Sequence, residues 1–238
     1  LVRAGADIIE IGIPFTDPIA DGPTIQMASN IALKNGATPQ KCLDLCAAIR
    51  EEFPTLPLVV MTYYNIVFRA GIEDFLRILR ISGVDGLILP DLEITESCHY
   101  VKTAARLNMA TIFLASPNTD VSRIRKILRV CSGFLYVVSV YGTTGSRSRY
   151  EAYTFKSIKR IKEITGNRIP VAVGFGISRP DHVTSLINSG ADAVIVGSAI
   201  VDKITVSAKN RLLLNDLRVF IGQLRAACSR ATITRKKQ

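Results

Sequence analysis

Seven short apolar runs, each followed by a segment of helical periodicity, restrict this chain to a parallel α/β architecture. The runs occupy residues 8–13, 58–61, 86–90, 110–115, 134–140, 170–173 and 193–197. Each has the length and composition of a strand buried on both faces. Helical patterns with polar faces cover 24–34, 39–52, 72–81, 96–107, 121–130, 155–164 and 180–188. A long amphipathic segment closes the chain, with Leu213, Leu217, Phe220, Ile221 and Leu224 on one stripe.

A repeated phrase narrows the choice of sheet. Leu79-Arg-Ile-Ser-Gly-Val-Asp85 and Leu186-Ile-Asn-Ser-Gly-Ala-Asp192 each end a helix, use Gly as its stop, and enter a strand. Leu1-Val-Arg-Ala-Gly-Ala-Asp7 reads the same way, so residue 1 is expected to be the end of a helix. A barrel needs eight strands, and the eighth would precede Leu1. The expectation is a (β/α)8 TIM barrel lacking the first strand and most of the first helix, one domain over 1–238 with a basic tail at 230–238. An open doubly wound sheet is the alternative, and it would expect a GxGxxG after the first strand, which is absent.

Composition excludes several classes. No apolar run approaches the roughly 18 residues of a membrane helix, and no signal peptide is recognisable. The five cysteines form no CxxC pair, and Cys42 and Cys46 share a helix face at i,i+4, which favours packing over zinc. With two histidines and no imidazole cluster, the reading is a reduced, cytoplasmic, metal-free protein. The net charge of +10 falls mainly on Arg123 to Arg129, Arg147 to Lys162 and Arg235 to Lys237. The first two clusters read as solvent faces of helices, and no aromatic-rich basic module accompanies them, so nucleic acid is not expected as a partner. An anionic small substrate fits the excess equally well.

The candidate chemistry begins on the first strand. Glu10 lies inside an apolar run, on one face with Ile8 and Gly12, while Ile9, Ile11 and Ile13 take the other. A carboxylate there either pairs with a cation or has a raised pKa, and no Lys or Arg lies between Arg3 and Lys34. A structural ion pair and a tuned acid/base both remain open. The loop that follows is stiffened by Pro14, Pro18 and Pro23 and carries Asp17 and Asp21. Gly-rich points end three later strands: Tyr141 to Gly145, Gly174 to Gly176, and Val196 to Ser198. Small residues there let backbone N–H groups approach an oxyanion, so a phosphorylated substrate is the best reading. Tyr136 alternates with Phe134 and Val138 and is either a core tyrosine or a lumen residue. Tyr63, Tyr64 and Asn65 would line the same rim, with Met61, Ile88 and Leu114 as an apolar wall.

Taken together, ADIIEIGIPFTDPIADGPTIQ, YYNIVF, PDL, Tyr136, Thr144-Gly145, GFGIS and GSAIV resemble the alpha chain family of tryptophan synthase. The match runs in family order over essentially the whole chain. It implies retro-aldol cleavage of indole-3-glycerol phosphate to indole and glyceraldehyde 3-phosphate. Glu10 and Asp21 fall on the family's two catalytic carboxylates, and Tyr136 would position substrate and the catalytic carboxyl group. Tyr63 would contact substrate, and Thr144, Gly145, Gly174, Phe175, Gly176, Gly197 and Ser198 would hold the phosphate. Asp17, Pro18, Asn65 and Glu93 resemble residues that meet a beta chain in an alpha2-beta2 tetramer. The resemblance implies no cofactor in this chain, with pyridoxal phosphate in the beta chain. Ile31, Glu93, Tyr141 and Thr143 depart from the common family pattern.

Two other functions compete. A non-catalytic activator of a beta chain has no need of Glu10, Asp21 and Tyr136. Another phosphate-binding barrel lyase of the Schiff-base type would need a strand lysine, and none of the seven runs contains one.

Overall fold

Strands form at all seven expected places, because β-branched and aliphatic residues cluster there between Gly, Pro and Asp. The computed structural model describes residues 1–138, 147–166, 168–174, 176–207 and 212–236. Contacts divide the chain into two compact units. One comprises Asp7–Phe113 with Val130–Gly133; the other comprises Leu1–Ala6, Leu114–Arg129 and Phe134–Gln238.

The first unit contains β1 (Ile9–Gly12), α1 (Pro23–Lys34), α2 (Pro39–Glu52), β2 (Leu58–Met61), α3 (Tyr64–Ala70), α4 (Ile72–Ile81), β3 (Gly86–Ile88), α5 (Cys98–Arg106) and the start of β4 (Ala110–Ala115). Its strands are parallel and pair in chain order. Glu10 sits opposite Val59, Val59 opposite Gly86, and Gly86 opposite Ala110. The next layer on that face is Gly12, Met61, Ile88 and Ile112, and Tyr63 extends it from the end of β2. The small residues are needed for the layers to close: a Cβ on Gly86 would lie 3.1 Å from that of Ala110. On the opposite face Leu58, Val60 and Leu87 are fully buried, as are Leu76 and Leu79 of α4. Proline opens α1 and α2, and the Thr38 hydroxyl accepts the Lys41 N–H at 3.3 Å as the α2 cap.

The second unit holds α6 (Val121–Val130), β5 (Leu135–Val138), α7 (Arg147–Thr165), β6 (Val171–Gly174), α8 (Pro180–Asn188), β7 (Ala193–Ile195), α9 (Ser198–Ser207) and α10 (Leu213–Lys236). Its three strands are again parallel, with Tyr136 opposite Ala172 and Val138 opposite Gly174. Leu135, Val137, Val171 and Val173 fill one face and are fully buried. The amphipathic stripe of α10 is buried at Leu217, Phe220, Ile221 and Leu224, and α10 packs on α8 and α9. Residues 139 and 140, included in the fifth expected strand, lie outside the described residues.

The repeated phrase acquires a physical meaning. Gly5, Gly83 and Gly190 adopt φ of +106°, +82° and +110°, so each ends its helical turn in the region that favours glycine. After Gly83 and Gly190, the aspartate two residues later is a staple. Asp85 Oδ2 accepts the Leu58 N–H at 2.9 Å and Arg50 Nη2 at 2.6 Å, while its own N–H donates to Leu58 O at 2.8 Å. Asp192 does the same for Val171 (2.8 Å) with Lys162 Nζ (2.6 Å). Each staple ties the start of one strand to its neighbour and to a helix. Asp85→Ala leaves the Leu58 amide without its acceptor and removes the carboxylate from Arg50, whose Nη2 keeps only the Gly83 carbonyl at 2.8 Å, and is expected to cost about 1–3 kcal/mol. Urea denaturation checks this, and an unchanged midpoint would show that the phrase acts only through its glycine.

Two helices were not expected. α3 is too short for its own periodicity and is separated from α4 only by Gly71, whose φ is +82°. α9 is rich in β-branched residues (Ile200, Val201, Ile204, Thr205, Val206), which mask a helical signal. α5 starts at Cys98 after a separate 3-10 turn at Ile94–Glu96, and α7 begins at Arg147, a full two turns before the expected start.

Candidate active site

β1 delivers Glu10 to the face it shares with Val59 and Met61, and the apolar surroundings decide its chemistry. No Lys or Arg pairs with it among the described residues. Burial, and then the charge of Asp21, push its pKa from the ordinary 4.5 up to about 7. The residue as a whole nevertheless keeps part of its surface accessible. Of the two readings left open by the sequence, the described residues supply no ion-pair partner, and burial favours the raised pKa. A carboxyl group poised near neutrality is populated in both forms and can give and take a proton.

Asp21 is held from the neighbouring strand. Tyr63, buried at the end of β2, donates its hydroxyl to Asp21 Oδ2 at 3.1 Å and accepts the Ala20 N–H at 2.9 Å. Its ring lies 5.4 Å from that of Phe15, centroid to centroid. The Asp21 pKa is raised by burial, and the bond from Tyr63 works against that rise. Burial pushes the Tyr63 phenol up to about 12, so it stays protonated and serves as a donor. Behind it, Asp91 accepts the Tyr64 N–H through both oxygens, at 2.9 and 3.1 Å, and so anchors the start of α3.

The structure brings Glu10, Asp21 and Tyr63 together in the first unit. Tyr136 and Gly174 belong to the second unit and adjoin each other: a Cβ on Gly174 would lie 2.6 Å from Tyr136 Oη. Tyr136 is half-buried, on the face opposite Leu135 and Val137. Gly176 is exposed with φ of +44°. Gly197 O accepts the Ile200 and Val201 amides at 2.9 and 3.1 Å, so Gly197 caps α9 and Ser198 opens it. The first amides of that helix have no intrahelical acceptor. Thr144, Gly145 and Phe175, with Tyr141 and Thr143, lie outside the described residues.

Asp17, Asn65 and Glu93 are exposed and Pro18 is half-buried, all in the loops and helix start that follow β1, β2 and β3. Ile19 and Phe68 in the same segments are 82% and 67% exposed, a surface that sequence reasoning did not single out. The signal for Phe68 was its i,i+4 spacing from Tyr64, whose ring it approaches at 6.0 Å. Asp91 was also missed as a capping residue, because its target lies 27 residues earlier. None of the five cysteines is disulfide-bonded, and burial with the neighbouring Cys42 pushes the Cys46 thiol up to about 11, as suits packing. Among the described residues no cluster of His, Cys, Asp and Glu is arranged to hold a metal, and no helix is long and apolar enough to cross a membrane.

Comparison with known proteins places this arrangement in context. The profile of the family described as tryptophan synthase alpha chain matches residues 1–229. The chain is 44% identical to the tryptophan synthase alpha chain of Methanothermobacter thermautotrophicus over 228 residues, covering 95% of this chain and 83% of that one. Against the alpha chain of Archaeoglobus fulgidus the identity is 43%, over 94% of this chain and 88% of the relative. Among solved structures, a chain of the tryptophan synthase complex from Pyrococcus furiosus superposes with a TM-score of 0.83 at 38% identity, covering 94% of this chain and 88% of its own length. The alpha subunit from Legionella pneumophila gives 0.86 at 28% identity, over 96% and 84%. The (β/α)8 barrel expected from the strand–helix alternation is the fold class of these relatives and of this chain. With profile, relatives and solved structures in agreement over nearly its full length, the chain belongs to the tryptophan synthase alpha chain family.

Proposed function

We propose that the chain cleaves indole-3-glycerol phosphate to indole and glyceraldehyde 3-phosphate, as the alpha subunit of a tryptophan synthase. The observation that carries this reading is Glu10, a carboxyl group brought to about pH 7 by burial beside a second, restrained carboxylate. The neutral form of Glu10 protonates C3 of the indole, placing positive charge on the ring nitrogen. Asp21 accepts a hydrogen bond from the indole N–H and stabilises that charge. The Glu10 carboxylate then removes the proton of the C3′ hydroxyl, the C3–C3′ bond breaks, and its electron pair returns to the ring. One group thus moves both protons, and it ends the cycle protonated as it began.

Tyr136 is assigned to positioning of the substrate and the catalytic carboxyl group. The phosphate is assigned to the backbone around Gly174, Gly176, Gly197 and Ser198, supported by the cap geometry of Gly197 and the family pattern. The alpha subunit from Pyrococcus furiosus is known in an a2b2 complex. A beta chain is accordingly the proposed partner of this chain, meeting Asp17, Pro18, Asn65 and Glu93 with the exposed Ile19 and Phe68.

The test is direct. The purified chain should release indole and glyceraldehyde 3-phosphate from indole-3-glycerol phosphate, and Asp21→Asn should lower kcat about 10²–10³-fold, because a neutral amide does not offset the indole cation. An inactive parent chain, with or without a beta chain, would return it to the activator reading.

A further inference from the structure

We infer that Tyr63 is a positioning residue for the carboxylate pair, its hydroxyl fixing where the Asp21 carboxylate stands relative to Glu10. This rests on the reading of Glu10 and Asp21 as the acting groups, and goes beyond it by assigning to Tyr63 a role exercised through Asp21 rather than on substrate. The need for such a residue is visible in the loop itself. None of residues 14–22 is buried, and Ile19 is 82% exposed, so packing of the loop's own side chains does little to place Asp21. Three of its members instead converge on one side chain: the Phe15 ring at 5.4 Å, the Ala20 N–H at 2.9 Å and Asp21 Oδ2 at 3.1 Å.

Tyr63 is suited to this because it is itself held by burial and by its neighbours. It is 5% exposed, it stands two residues past the end of β2 as the cap of α3, and the residue after it is tied by its N–H to both Asp91 oxygens. The bonds also run in one direction, from the Ala20 N–H into Tyr63 Oη and from Tyr63 O–H into the carboxylate. Each polarises the next, so the ionised form of Asp21 is the one favoured. The phenol has a single proton, and it is committed to Asp21. A direct role as proton donor to substrate would require that bond to break.

Tyr63→Phe keeps the ring on Phe15 and removes only the hydroxyl. In the full chain, kcat/KM for indole-3-glycerol phosphate is expected to fall roughly 10–100-fold, the scale of one hydrogen bond to a charged group. The acid limb of the pH–rate profile should move to higher pH, because Asp21 loses the bond that lowers its pKa. A merely structural tyrosine would not move that limb. On an Asp21→Asn background the same substitution should add little further loss. A parental rate and an unmoved acid limb in Tyr63→Phe, alongside an impaired Asp21→Asn, would overturn the positioning role alone. A full additional loss in the double variant would also overturn it, by showing that Tyr63 acts on substrate independently. Parental activity of Asp21→Asn by itself would instead sink the underlying assignment of the carboxylates.

Discussion

Glu10→Gln is expected to lower turnover by about 10²–10⁴-fold, towards the upper end because one group carries two proton transfers. The amide keeps the size and much of the hydrogen bonding of the carboxyl group but neither donates nor accepts a proton at neutral pH. Stability should move the opposite way, and its sign follows from the pKa. The folded-state value of about 7 lies above the ordinary 4.5, so Glu10 favours the folded state fully only below about 4.5, and that contribution is lost as pH rises through about 7. The Gln variant, which has no charge to bury, should therefore be more stable than the parent above pH 7, with the difference shrinking towards pH 4.5. The pH dependence of kcat/KM should be bell-shaped, with limbs that belong to the coupled Glu10–Asp21 pair. Parental turnover together with unchanged alkaline stability would return Glu10 to a structural role. A variant that is less active yet more stable is the signature of a group held for chemistry.

Gly174→Ala should reduce activity by about 10²-fold although it adds a single methyl group. The added Cβ would stand 2.6 Å from Tyr136 Oη, 2.7 Å from Cε1 and 2.9 Å from Cζ. Real Cβ contacts do not come so close, so the ring must move. The backbone has little room to yield instead, because Val171 and Val173 on the other face of β6 are fully buried. A displaced Tyr136 should appear as lower kcat, whereas disturbance of the phosphate backbone at Gly174 should appear as higher KM. Steady-state kinetics beside Tyr136→Phe separates the two. If Gly174→Ala has parental kcat and KM, the orientation of Tyr136 contributes nothing to the reaction.

Legibility in the sequence followed the range of the forces involved. Strand positions came from local apolar runs, and α2, α4, α6 and α8 from local helical periodicity, so these elements stand where periodicity put them. Gly83 and Gly190, the stops of α4 and α8, are signals read within a few residues. Short α3 and β-branched α9 escaped because their local preference is weak and tertiary packing supplies the rest. Asp85 could be seen to recur, but not to be a staple, since the amide it binds lies 27 residues earlier in the chain.

The sequence by itself determined the strand–helix alternation, the Gly-x-Asp punctuation, and the placing of one carboxylate on a strand with two more on the loop leaving it. It also brought Tyr136 to a strand position whose face could be counted, and Tyr63 to the rim that follows β2. Only the tertiary structure decided that Glu10 has no cation beside it among the described residues and that burial lifts its pKa to about 7, because desolvation depends on what surrounds a group and not on its neighbours in sequence. Only it joined Tyr63 to Asp21 across 42 residues, and placed Gly174 where nothing larger than hydrogen fits beside the Tyr136 ring. Hydrogen bonds and steric exclusion act over about 3 Å, a distance that parallel strand pairing sets and that no reading along the chain contains.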